Sequence, residues 1–229
     1  MTTSTTTPLG ALDRCADAVT TYFGTLFTSL EAIAETVRQA ISPRHTLTAA
    51  ALSDLVHPLA TRTLAEHPVV GGGFVATPGW LADRDLFLAW WQGEDRTLLA
   101  ERGVPLGHHV FDYTRHEWFR RPQESGERHV TGPYVDYVCT DEYVLTATLP
   151  VLVAGEMAGV AGADTPLETF EQLMREPLRG GGDVALVNPH DRVVVAADPL
   201  LRSGQKIDSS SYTEVQQLDG LPFRVLAGA

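Results

Sequence analysis

The chain has 229 residues, 44% of them apolar and 20% charged, which suits one folded domain with an appendage or two small ones. Its formal charge of −12, from 17 basic and 29 acidic residues, leaves no basic stripe for nucleic acid. The same charge disfavours an anionic membrane surface and mildly favours cationic small molecules as ligands.

The opening MTTSTTTPLG has neither a basic segment nor an apolar core, so it does not read as a secretory signal. The longest uncharged apolar run, Tyr143 to Gly155, is too short for a membrane helix and contains Pro150. Cys15 and Cys139 lie far apart with no CxxC or Cys/His ligand spacing. A disulfide is open, but two free thiols in a reducing cytosol are the expectation. A soluble, cytoplasmic chain is expected.

Leu12, Ala16, Val19, Phe23, Leu26, Leu30, Ile33, Val37 and Ala40 recur in alternating steps of four and three. That spacing predicts one helix of about 30 residues, roughly 45 Å long, ended by Ser42-Pro43. Such a seam can pack along its own domain or against a second copy. Tyr22, Phe27 and Ile41 widen the stripe enough for both. A second helix is expected from Leu47 to about Glu66, kinked or split at Pro58 and closed by His67-Pro68.

From Val69 the texture changes to short β-type runs, VVGGGFVATPG and LFLAWWQGE. Trp90 and Trp91 fall on opposite strand faces, one for the core and one free to line a pocket. Polar, irregular sequence fills Asp95 to Gly107, and HHVFDYTRHEWFRRP shows no clear period. Gly132 to Asp164 reads as three strands and two turns. A helix over Thr165 to Arg179, a hairpin at GGGDVALVNPHDRVVVAAD and a last strand at LPFRVLAGA complete the order. Strands flanked by helices, without βαβ alternation, predict an α+β fold with a central antiparallel sheet. We divide it into a helical segment, 1–68, and a sheet domain, 69–229.

Tyr134 and Asp136, two apart on a strand, share a face. Trp118 and Phe119 supply flat apolar surface over which an ammonium gains about 0.5–2 kcal/mol. A carboxylate beside that surface completes an ammonium site, because a desolvated cation needs a paired charge. Asp164 follows Gly162 in a Gly-x-Asp sequence, read as a turn open to close approach by a ligand. Capping of the following helix is the other use open to it. His108, His109, Asp112 and His116 lack the partners of a metal site, and no GxSxG, Walker or Rossmann pattern is present.

Three segments together resemble the Cache superfamily of bacterial sensor domains: FDYTRHEWF (111–119), GPYVD (132–136) and TATLPVLVAGEMAGVAGADTPLETFEQL, which ends at Leu173. The resemblance implies a PAS-like antiparallel sheet preceded by a long helix, with a small metabolite, often an amino acid or amine, bound on one sheet face. It implies that Trp118 contacts the ligand's carboxylate and that Tyr134 and Asp164 hold its ammonium. At the positions of the family's aromatic hydroxyl, arginine and second tyrosine stand Phe111, His116 and Phe119, with Arg115 adjacent. The carboxylate-binding half is thus altered, which raises the case for an amine.

The expectation is a cytoplasmic, non-enzymatic sensor for an amino acid or amine, with no cofactor or metal. Its ligand set is Phe111, Arg115, His116, Trp118, Phe119, Tyr134, Asp136 and Asp164. Its signal passes through a homodimer or a separate regulatory protein. The alternative is a small enzyme acting on an amino compound in the same pocket.

Overall fold

The computed structural model describes residues 8–41, 47–93, 95–99, 112–136 and 142–228. The seam residues coalesce into one helix, α1 (Pro8–Ala40), and Leu12, Ala16, Val19, Phe23, Leu26, Leu30, Ile33 and Val37 are all buried within the chain itself. Helix α2 (Ala49–Glu66) starts two residues later than the pattern predicts, because the Thr48 hydroxyl accepts the Ala51 N–H as an N-cap. It ends at His67, as expected. Pro58 does not split it. Both Pro58 and Asp54, whose carbonyl loses its donor there, are exposed, so water can take the missing bond.

Among the described residues ten strands follow: β1 (Gly71–Ala76), β2 (Leu88–Gln92), β3 (Thr97–Leu98), β4 (His129–Asp136), β5 (Glu142–Val153), β6 (Glu156–Pro166), β7 (Val184–Val187), β8 (Val193–Ala196), β9 (Glu214–Gln217) and β10 (Arg224–Ala227). Helices α3 (Glu117–Ser125) and α4 (Leu167–Leu178) lie between them. The six-stranded sheet runs β3-β2-β1-β6-β5-β4 and the four-stranded one β8-β7-β10-β9. All the strand pairs resolved residue by residue are antiparallel. The long helix, second helix and central antiparallel sheet of the α+β expectation are all present.

The chain forms two compact units. One takes in α1 up to Gly24, Gly132–Tyr134 and Leu167–Ala229. In it Phe23 packs against Phe170 and Phe223, with ring centroids 5.7 and 5.9 Å away. The other takes in Thr25–Thr131 and Val135–Pro166 and carries the six-stranded sheet. There α2 packs on one face through β1 and β2, where Trp91 stacks on His57 at 5.2 Å. The opposite face carries Val75, Trp90 and Val160, packed with Tyr113 and with Phe119 of α3.

Gly73 marks how closely these strands approach. A Cβ there would stand 2.0 Å from the Ala89 carbonyl oxygen, at a φ of +157°. Gly73→Ala should therefore force β1 and β2 apart, at a cost of about 3 kcal/mol. Gly24→Ala, which meets nothing within 4 Å on α1, should stabilise by about 1 kcal/mol. Urea midpoints of the two variants check the contrast, and equal midpoints would refute it.

Candidate functional site

The face of the six-stranded sheet away from α2 is built by alternation. In the β1–β6 ladder Gly71 pairs with Asp164 and Gly73 with Gly162; in β5–β6, Asp164 pairs with Thr146 and Gly162 with Thr148. Directly paired residues share a face, so Gly71, Gly73, Gly162, Asp164, Thr146 and Thr148 all lie on this one. Trp90, opposite Gly73, joins them. The result is a stretch of sheet floored by glycine backbone and bordered by an indole, two hydroxyls and a carboxyl group.

Asp164 is buried, and its Oδ1 accepts a 2.6 Å hydrogen bond from the Thr146 hydroxyl. Burial, followed by the charge of Asp136, pushes its pKa up from 3.8 to about 8, against the opposing pull of the Thr146 hydrogen bond. Asp136, at the end of β4, is itself buried and acts electrostatically on both Asp164 and His116. Two buried carboxyl groups thus face one another's field. Among the described residues no Arg, Lys or His forms an ion pair with Asp164.

Helix α3 begins over this face. His116 is its N-cap residue and lies exposed at the rim, 6.0 Å ring to ring from Trp118. Desolvation lowers its pKa below the ordinary histidine value, with the charges of Asp136 and Asp112 acting the other way. It is therefore mainly neutral at pH 7. Trp118 is half-buried and stacks on Tyr113 at 6.2 Å, while Phe119 is fully buried among core side chains. The His129 ring nitrogen, 3.1 Å from Glu117 Oε1, ties α3 to β4.

The structure therefore brings together His116, Trp118, Phe119, Asp136 and Asp164 in one unit. Arg115 is turned outward, 87% exposed, and pairs with Asp112 at 3.1 Å. Tyr134 is half-buried on β4 within the stretch that clusters with the other unit. Phe111, His108, His109 and Cys139 lie outside the described residues.

The Gly-x-Asp sequence is not a turn. Residues 162–164 run inside β6, which continues to Pro166, and the Asp164 side chain turns to Thr146 across the sheet. A Cβ built on Gly162 would lie 3.1 Å from the Ala147 carbonyl oxygen, 3.2 Å from Thr148 Cγ2 and 3.3 Å from the Trp90 indole Cζ3, so glycine relieves crowding from β5 and from the indole together.

Sequence reasoning missed three residues, Thr146, Thr148 and Tyr113, and left open which of Trp90 and Trp91 faces the site. Thr146 and Thr148 sit two apart in TATLP, a period-two signal that marks both for one face. Tyr113 is fully buried; its hydroxyl donates to the Ala76 carbonyl at 2.6 Å and accepts the Phe87 N–H at 3.1 Å. Nothing local in the sequence marks it. Of the two tryptophans, Trp90 is the one on this face, its indole lying against glycines on two other strands.

The other unit contains an open cleft of about 600 Å³ between α4 and the loop after β8, rimmed by Arg175, Arg179 and Arg202. It shares no residue with the carboxyl cluster. Among the described residues no helix is long and apolar enough to cross a membrane, and no group of three or more His, Cys, Asp or Glu could hold a metal ion.

Residues 57–172, a little over half of the chain, match the model of the methyl-accepting chemotaxis protein-like, first PDC sensor domain. A curated relative, methyl-accepting chemotaxis protein PscA of Pseudomonas syringae pv. tomato, is 30% identical over 101 residues; the match covers 43% of this chain and 16% of that protein. Several solved sensor domains share the fold. The Campylobacter jejuni chemoreceptor Tlp3 sensory domain with isoleucine bound superposes with a TM-score of 0.64 at 14% identity, covering 95% of this chain and 88% of that one. The Pseudomonas fluorescens CtaA ligand-binding domain with L-valine gives 0.64 at 19%, covering 96% and 94%. The Pseudomonas aeruginosa PctC domain with GABA gives 0.60 at 19%, covering 96% of each chain.

Proposed function

The chain belongs to the family of methyl-accepting chemotaxis protein-like first PDC sensor domains, and on that basis we propose that it senses a small metabolite bearing a protonated nitrogen, an amino acid or an amine. The observation that carries this reading is Asp164: a buried carboxyl beside a second one, on a glycine-floored sheet face, with no described cation paired to it. A desolvated carboxylate is costly alone and inexpensive next to an ammonium. Trp118 and the adjoining apolar wall supply the flat surface on which such a cation also gains. The amino acids and GABA bound in similar sensor domains carry the same group. The site residues bind and orient; the reading assigns none of them a bond-making role.

The test is a thermal-shift panel of L-amino acids, primary amines and polyamines, each paired with its nitrogen-free analogue. Ligand at 100 times its Kd adds about 2.7 kcal/mol of apparent stability, several degrees in melting point. Shifts confined to nitrogen-bearing compounds support the reading. Equal shifts with the nitrogen-free analogues, or none in any class, reject it. Recovery of the ligand unchanged after long incubation separates a sensor from an enzyme acting on an amino compound.

Output through a second copy or a separate protein is part of the proposal. The heptad seam of α1 is buried within its own chain, so a second copy would have to use other surface. Light scattering that gives a monomer with and without ligand would remove the second-copy route.

A further inference from the structure

The Trp90 side chain is buried, only 5% exposed, yet its indole N–H has no hydrogen-bond partner among the described residues. An unmet buried donor costs about 1–3 kcal/mol, so native structures seldom keep one without a use. Its position is specific. The Nε1 edge lies 2.6 Å from where a Gly71 Cβ would stand, and the Cζ3 edge lies 3.3 Å from where a Gly162 Cβ would stand. The ring is thus laid across the glycine floor with its N–H at the Gly71 end. Gly71 pairs directly with Asp164. Directly opposed residues stand about 5 Å apart, so the orphan donor and the buried carboxyl share one end of the site.

We propose that the Trp90 indole N–H is the donor to an acceptor oxygen of the ligand, the same ligand whose ammonium meets Asp164. This rests on the functional reading above and narrows it. A donor and an acid at one end of the site select a compound with a charged nitrogen and an acceptor oxygen a short span apart. α-Amino acids and vicinal amino alcohols fit, whereas simple amines and polyamines satisfy only the acid. The altered positions His116, mainly neutral, and Phe119, buried in the core, leave this role open. Trp90 becomes a specificity residue that no local motif marks.

The experiment is calorimetric titration of the wild-type chain and Trp90→Phe. The probes are the tightest-binding L-amino acid of the panel and the primary amine formed by removing its carboxylate. Trp90→Phe keeps an aromatic ring over the glycines and removes only the donor. Wild type should prefer the amino acid by at least about tenfold, and the variant should bring that ratio close to one. The wild-type indole N–H resonance of Trp90 gives a second readout that does not depend on the variant's folding. It should move downfield with the amino acid and stay in place with the amine.

An unchanged ratio in Trp90→Phe overturns the assignment while leaving the sensor reading intact. So does a lowered melting point of the ligand-free variant with the ratio preserved, the signature of a structural water on Nε1. Binding of neither probe class to wild type defeats the sensor reading itself, and this inference with it.

Discussion

Asp164→Asn should sharply weaken ammonium binding and, above pH 7, raise the melting temperature of the ligand-free protein. Removing one partner of a desolvated charge pair costs about 2–5 kcal/mol, at least roughly thirtyfold in Kd. The stability effect has the opposite sign. The folded chain keeps a proton on Asp164 up to about pH 8, whereas the unfolded chain releases it near pH 4. Between those values the native state binds more protons, so this group's contribution is complete below pH 4 and drains away by up to about 1.4 kcal/mol per pH unit as pH rises. Asparagine does not titrate, and its side-chain oxygen can still accept from Thr146. The melting curves of variant and wild type should therefore diverge from pH 5 to pH 8. A variant that melts lower at pH 8 and binds its ligand normally would make Asp164 a structural acid and sink the proposed site.

The same titration makes recognition pH-dependent. An ammonium pairs with the ionised carboxylate, which is the minor form in the empty site at pH 6. Well below pH 8 each unit of rising pH makes about ten times more of the competent state available, and at pH 8 about half of it is present, so affinity should climb about 50-fold from pH 6 to 8 and level off soon after. Binding at pH 7 should release close to one proton. Calorimetry in buffers of different ionisation enthalpy counts it directly. A flat profile with no release would place the ligand's nitrogen elsewhere. Asp136→Asn should move the rise to lower pH, since it removes the charge that helps hold Asp164 neutral.

How far these features were legible depends on how local their causes are. The long helix was readable because its seam repeats through Val37, and the β5–β6 hairpin because apolar strand sequence flanks Ala154-Gly155, whose φ values of 53° and 88° make a tight two-residue turn. Helix α3 was obscure: EWFRRPQES contains Pro122 and buries only Phe119 and Pro122, too few residues to set a period. Strand β9, EVQQ, escaped because it is a mostly exposed edge strand without apolar alternation. At the site, Asp164 was visible through a motif, but its strand was read as a turn because glycine weakens a strand pattern. What crowds Gly162 is non-local: Ala147 and Thr148 on the paired strand and a tryptophan 72 positions earlier. The mutual fit of Trp90 with Gly71 and Gly162 exists only in the pairing of three strands, and no window of sequence contains it.

That fit also bears on how the recognition face can change by mutation. At Gly71 a single methyl would stand 2.6 Å from the indole nitrogen, so the position is intolerant although it offers no functional group. In a saturation library Gly71 should look as constrained as Asp164, for want of space instead of chemistry. New ligand preferences would then arise first at the rim, where His116 and Trp118 have room to vary, and only afterwards, in concert with position 90, at the floor.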